Sequence, residues 1–138
     1  MHLNQFAKWI QMRHVLFLCN QNRSGSKTAE QVFSGWPGVE VASAGLDASA
    51  PTPVSPELLA WADTIFVMEK AHRAKLSQKY RPHLKKQLVI CLDIPGDYAF
   101  MDPALVQLLR KRVPKHLTGA GSGPASTPQR RNAWAGSK

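Results

Sequence analysis

The sequence is short of acid: its 138 residues hold 9 Asp and Glu against 18 Lys and Arg, a formal net charge of +9. A chain so basic is suited to meeting anionic partners, whether phosphoproteins or nucleic acid. Cysteine is scarce too, with only Cys19 and Cys91, which excludes a disulfide framework and suits reduced thiols in a cytosolic protein. Long apolar runs are missing. Val15 to Cys19 and Leu88 to Leu92 are among the longest, far below the roughly 20 residues that cross a bilayer, so no membrane partner is expected. Residues 1–13 lack the apolar stretch and small-residue cleavage site of a secretion signal, and the expected compartment is the cytoplasm. The five histidines, at 2, 14, 72, 83 and 116, are scattered. No paired His or Cys offers zinc-ligand spacing, so neither a metal nor another cofactor is expected.

What is present is one domain's worth of alternating elements. A chain of this length buries roughly two thirds of its unfolded surface, enough for a core. The expected organisation is an N-terminal extension over 1–13, an α/β domain over 14–117 and a disordered basic tail over 118–138. In the extension, Phe6, Trp9 and Ile10 have the spacing of a short amphipathic turn, and a translation start at Met12 competes with one at Met1. In the tail, Gly, Ala, Ser and Pro dominate, Trp134 is the one large apolar group, and Arg130, Arg131 and Lys138 supply charge without acid.

Within the domain, Val15 to Cys19 reads as a buried parallel strand, and Lys27 to Phe33 as a helix stopped by Gly35, Pro37 and Gly38. Val39 to Ser43 alternates as a second strand before a Ser43-Ala44-Gly45 turn. Ser55 caps a helix with Pro56 at its first position. Thr64 to Met68 is a third strand, Glu69 to Tyr80 a basic helix ended by Pro82, and Gln87 to Leu92 a fourth strand. A last helix runs from Ala104 to about Val113, stopped by Pro114. Strand and helix alternate with short connections, so the sheet is predicted parallel with right-handed crossovers, and ligands are expected beyond the carboxyl ends of its strands.

One stretch organises the rest. From 14 to 33 the chain reads strand, polar loop, helix, with Cys19 at the strand's end and Asn20, Gln21, Asn22, Arg23, Ser24, Gly25, Ser26 and Lys27 following. Backbone N–H groups of such a loop and of the helix's first turn make an anion site. The same field favours thiolate, the nucleophilic form of cysteine. The commoner role of a strand-end cysteine is burial as a small hydrophobe. Ser24 to Thr28 also echoes a nucleotide-binding P-loop, but Ser26 stands where that pattern needs Gly, as does Gln21.

The spacing Cys19, Asn22, Ser26, Ala29 and Glu30 resembles the signature of the low-molecular-weight protein tyrosine phosphatases, and the likeness covers roughly Val15 to Val113. It implies a flavodoxin-like, doubly wound, three-layer α/β fold with helices on both faces of a four-stranded parallel sheet ordered 2-1-3-4. It further implies a phosphatase acting on phosphotyrosine in a protein, or on a small aryl phosphate, through a phosphocysteine, with phosphate or sulfate binding in the loop. On this reading Cys19 is the nucleophile, Ser26 steadies its thiolate, Asn22 braces the loop and Ser43 supports it. The family's phosphate-gripping Arg falls at Gly25, and its Pro at Lys27, so turnover is expected to be impaired. Lys27 lacks the planar guanidinium fork, and Arg23 sits two residues early. The family's acid slot falls at Gly96, leaving Asp97 and Asp102 as candidates. Asp102 also reads as a cap for the last helix, and Tyr98 as either an aromatic wall or core. Two other outcomes stay open: a pseudophosphatase that binds phosphate or phosphotyrosine without turnover, and a basic nucleic-acid binder using the cation-rich stretch from Lys70 to Lys86. The bland reading of that stretch is a solvated helix face.

Overall fold

The computed structural model describes residues 12–117, and the expectations for the N-terminal turn and the C-terminal tail fall outside the described residues. Strand β1 spans Arg13–Cys19, helix α1 Gly25–Phe33, β2 Val39–Gly45, α2 Pro56–Trp61, β3 Thr64–Val67, α3 Lys70–Tyr80, β4 Leu88–Cys91, α4 Pro103–Arg112 and α5 Pro114–Leu117. All pairings are parallel, and the order is β2-β1-β3-β4. This is the doubly wound order implied by the resemblance, with β1 central.

Alternation along the strands sorts side chains into two cores. Val15 and Phe17 of β1 join Phe33, Phe66, Met68, Leu105 and Leu109 under α1 and α4. Leu16 and Leu18 join Leu59, Ile65, Val67 and Leu76 under α2 and α3. Phe17 stacks on Phe66 at 5.3 Å and on Phe33 at 5.9 Å between ring centroids, fixing α1 against the sheet. Residues 15–18 of β1 are completely buried, which is why the run is continuously apolar.

Local chemistry sets the element ends. Ser55 Oγ accepts from Leu58 N at 3.1 Å, with Pro56 opening α2 as expected. Helix α1 begins at Gly25, two residues before the predicted start, because Thr28 N already donates to the Ser24 carbonyl at 2.8 Å. Pro82 lies in a 3₁₀ turn, Arg81–His83, that follows α3. Pro114 does more than end α4. It opens α5, where the missing N–H of a first-position proline costs nothing.

Candidate active site

Cys19 closes β1, and β2's final residues lie alongside the loop that follows it. Leu46 N donates to the Cys19 carbonyl at 2.8 Å and Asp47 N to the Asn20 carbonyl at 3.0 Å, while Gln21 Nε2 donates to Asp47 Oδ2 at 3.0 Å. The approach is so close that a Cβ on Gly45 would meet the Asn20 carbonyl oxygen at 2.6 Å and Ala50 Cβ at 2.5 Å. Only glycine fits there. The Ser43 hydroxyl donates to Glu30 of α1, tying the loop's helix to β2.

Inside the loop, buried Asn22 takes a left-handed backbone, φ 56°, a conformation Asn tolerates better than most residues. That turn aims Asn22 N at Cys19 Sγ, 3.2 Å away. Ser26, fully buried in the first turn of α1, donates its hydroxyl to Asn22 Oδ1 at 2.7 Å and lies 2.9 Å from Cys19 Sγ. A single hydroxyl proton serves one acceptor at a time. With a thiol, S–H donates to Ser26 Oγ; with a thiolate, the Ser26 proton can turn to sulfur. Cys19, Asn22 and Ser26 are thus brought together by the fold, with the sulfur at the N-terminal end of a nine-residue helix.

The charged neighbours are not brought in. Arg23 and Lys27 are exposed, and among the described residues neither side chain makes a hydrogen bond or ion pair. Gly25 opens α1 with Met68 against it: a Cβ there would lie 3.2 Å from both Met68 Cγ and Sδ. The space from which an arginine would leave the helix is lined by thioether.

A second loop follows β4. Asp97 in it is exposed and its carboxylate has no hydrogen-bond partner among the described residues. Asp102 accepts from Ala104 N at 2.9 Å and caps α4, with Pro103 first in that helix. Tyr98 is half-buried and packs on the α1–α4 core. Three ties that sequence reasoning missed hold this loop. Gly96 N donates to Glu69 Oε2 at 2.9 Å. Met101 N donates to buried Thr28 Oγ1 at 2.8 Å. Arg112 donates to the carbonyls of Leu92 and Asp93, both at 2.8 Å. Glu69 also forms a reciprocal cap with His72, whose ring Nδ1 accepts from Glu69 N at 3.1 Å. Its capping signature was legible only if His is allowed where Glu or Gln usually stands. Burial pushes the His72 imidazole below its usual range, with the Glu69 charge opposing and Lys75 reinforcing.

Cys91 ends β4 but packs on the α2–α3 core, the other side of the sheet from Cys19. With β3 between their strands, the two thiols are not placed to form a disulfide. Among the described residues no three His, Cys, Asp or Glu side chains gather as metal ligands, and no helix is long and apolar enough to cross a membrane.

A parallel four-stranded sheet in this order, with a cysteine loop leading from the central strand into a helix, is the fold of the low-molecular-weight protein tyrosine phosphatases. One such structure, the low-molecular-weight protein tyrosine phosphatase SP-PTP from Streptococcus pyogenes, superposes with a TM-score of 0.67 at 16% identity over 80% of this chain and 95% of that one. The tyrosine phosphatase Wzb of Escherichia coli K30, in complex with phosphate, gives 0.63 at 19% identity over 80% of this chain and 100% of its own. The YwlE arginine phosphatase of Geobacillus stearothermophilus gives 0.63 at 19% identity, over 78% and 94%. No family model matches the sequence, and no curated protein matches it.

Proposed function

We propose that the chain is a cysteine-dependent phosphatase of the low-molecular-weight protein tyrosine phosphatase type, acting on phosphotyrosine or a small aryl phosphate and slowed by the loss of the loop arginine. The observation that carries this reading is the environment of one sulfur: Cys19 Sγ receives Asn22 N at 3.2 Å and faces Ser26 Oγ at 2.9 Å at the start of α1, and the free N–H groups of a loop and a helix's first turn are suited to an anion. The phosphate held by a neighbour of the same fold supports it.

In the reaction, the Cys19 thiolate attacks phosphorus, an S–P bond forms and the bond to the leaving oxygen breaks. A carboxylic acid protonates that oxygen. The resulting carboxylate then takes a proton from water, which attacks the phosphocysteine, breaks the S–P bond and releases inorganic phosphate and the free thiolate. Asp97 suits the acid better than Asp102, because Asp97 is unengaged and Asp102 is occupied as a helix cap. Asn20 to Lys27 supply the cradle, Ser26 steadies the thiolate when phosphate leaves, and Ser43 braces the cradle through Glu30. A free nucleophilic thiol belongs in a reducing compartment, and we place the protein in the cytoplasm.

One observation favours a second reading, a phosphate-binding pseudophosphatase: Met68 lies against Gly25, and among the described residues no arginine side chain hydrogen-bonds to the loop. Hydrolysis of an aryl phosphate, with and without prior treatment by iodoacetate, separates the two. Turnover lost on alkylation of Cys19 supports the enzyme. Absent turnover, with phosphate still shielding Cys19 from alkylation, supports the pseudophosphatase. Turnover untouched by alkylation of Cys19 overturns the assignment of the nucleophile.

A further inference from the structure

Residues 70–86 carry seven Lys and Arg and no acid, and α3, which holds four of them, packs on the α2–α3 face of the sheet and reaches the Cys19 loop through its side chains. Two of these cations are fastened to its edge. Lys75 Nζ donates to Asn20 Oδ1 at 3.1 Å, and Lys79 Nζ to the Leu46 carbonyl at 3.4 Å. Asn20 is covalently next to Cys19, and Leu46 N is hydrogen-bonded to the Cys19 carbonyl. One ammonium group therefore rests on the residue that follows the nucleophile, and the other on a residue hydrogen-bonded to the nucleophile's backbone. Facing them is one carboxylate, Asp47. Hydrogen bonds from Ser49, backbone first and then hydroxyl, hold its acid below the usual carboxylate range, and Lys75 and Lys79 add to this. Two cations against one anion leave this edge positive, whereas a Cβ on Gly25 would meet only the Met68 thioether, and the exposed Arg23 and Lys27 beside it make no hydrogen bond or ion pair among the described residues.

We infer that Lys75, with Lys79 beside it, is the cation that captures the phosphoryl dianion for the Cys19 loop in place of the guanidinium that position 25 lacks. The inference rests on the loop's being a phosphate cradle. Lysine suits the task through its stem: a point charge on four flexible carbons can leave Asn20 Oδ1 and donate to a phosphate oxygen without breaking any contact between elements of the core. Such a charge acts through the field and lacks the geometry of a two-pronged grip. It strengthens binding of substrate and product alike and is sensitive to salt.

The test uses the full chain and inorganic phosphate. Alkylation of Cys19 by neutral iodoacetamide, read at the Cys19 peptide by mass spectrometry, is slowed by bound phosphate, and the titration yields a Kd. Lys75→Gln is expected to raise that Kd about fivefold to tenfold at low salt, the order for removal of one partly screened charge. Lys75→Arg, and the equal charge loss Lys86→Gln away from the loop, are expected to stay within about twofold of the parent. Salt of about 0.5 M should shrink the Lys75→Gln effect toward unity. A Lys75→Gln titration indistinguishable from Lys86→Gln overturns the inference while leaving the cradle intact. Failure of phosphate to protect Cys19 in the parent chain overturns the cradle itself, and the inference with it.

Discussion

Replacing Gly25 with arginine probes the position at which the resemblance would put a phosphate-gripping arginine. The first carbon of the new side chain would lie 3.2 Å from Met68 Cγ and Sδ, a tight contact, but with the flexible end of a thioether that moves by a few tenths of an ångström at little cost. Position 25 is the first residue of α1, so Gly→Arg also recovers up to about 1 kcal/mol of helix propensity, offsetting the crowding. The backbone there is not in the left-handed region, and no conformational strain opposes the change. Against these small terms stands the gain in the reaction. An arginine that stabilises a phosphoryl-transfer transition state contributes on the order of a thousandfold or more, about 4 kcal/mol at 1.36 kcal/mol per decade. The expected outcome is a rise in kcat/KM for an aryl phosphate on the order of a thousandfold in Gly25→Arg, with the melting temperature within a few degrees of the parent. Gly25→Ala is the control, since it shares the Met68 contact and the helix gain but has no guanidinium, and it should leave turnover unchanged. A folded Gly25→Arg protein no faster than Gly25→Ala would refute the alignment of this loop on the phosphate cradle.

Other perturbations follow from the same contacts. Cys19→Ser should lower aryl phosphate turnover to the detection limit while circular dichroism stays native, because the thiolate is removed and the fold is not. Gly45→Ala drives a methyl to 2.5 Å from Ala50 and 2.6 Å from the Asn20 carbonyl. Overpacking of that kind costs about 1–3 kcal/mol, so calorimetry should find the melting temperature lower by at least about 4 °C, and an unchanged value would show the β2 end free to retreat. Glu69→Ala removes the acceptor for Gly96 N, and amide exchange at Gly96 should quicken by roughly tenfold, the weight of a net hydrogen bond. Burial lowers the His72 pKa in the folded state, so the unfolded chain binds the proton more readily and stability falls as pH drops below the unfolded value of about 6.5. Urea midpoints should therefore be higher at pH 7.5 than at pH 5, and His72→Gln should flatten that slope in part, with half-buried His116, its imidazole also pushed down by desolvation, contributing in the same direction.

Sequence revealed the scaffold because its signals are local. The buried run at β1, the Ser55-Pro56 start of α2 and the Asp102-Pro103 start of α4 each have a short-range cause, and each appears where expected. The grouping of Cys19, Asn22 and Ser26 was expected only from the family resemblance, and the three residues lie within hydrogen-bond reach of one another in a loop closed over eight residues. What sequence could not show lies at long separations. Lys75 meets Asn20 across 55 positions, Met101 meets Thr28 across 73, and Gly96 meets Glu69 across 27. None of these pairs leaves a periodic trace. The cation-rich stretch from Lys70 could be read as a solvated face, and for exposed Lys70 and Arg81 that reading fits, while Lys75 and Lys79 turn to the loop. Met68 read only as the end of a strand, and its contact with Gly25 needed the third dimension.

The most direct measurement is a crystal structure of the protein soaked in tungstate, whose tetrahedral dianion mimics phosphate and is unmistakable by its anomalous scattering. The account predicts one strong peak over Cys19 Sγ, with oxygens about 2.7–3.2 Å from the backbone nitrogens between Asn20 and Ser26 and the Lys75 ammonium turned toward it. Tungstate bound elsewhere on the basic surface, with the loop's N–H groups engaging no oxyanion, would contradict it.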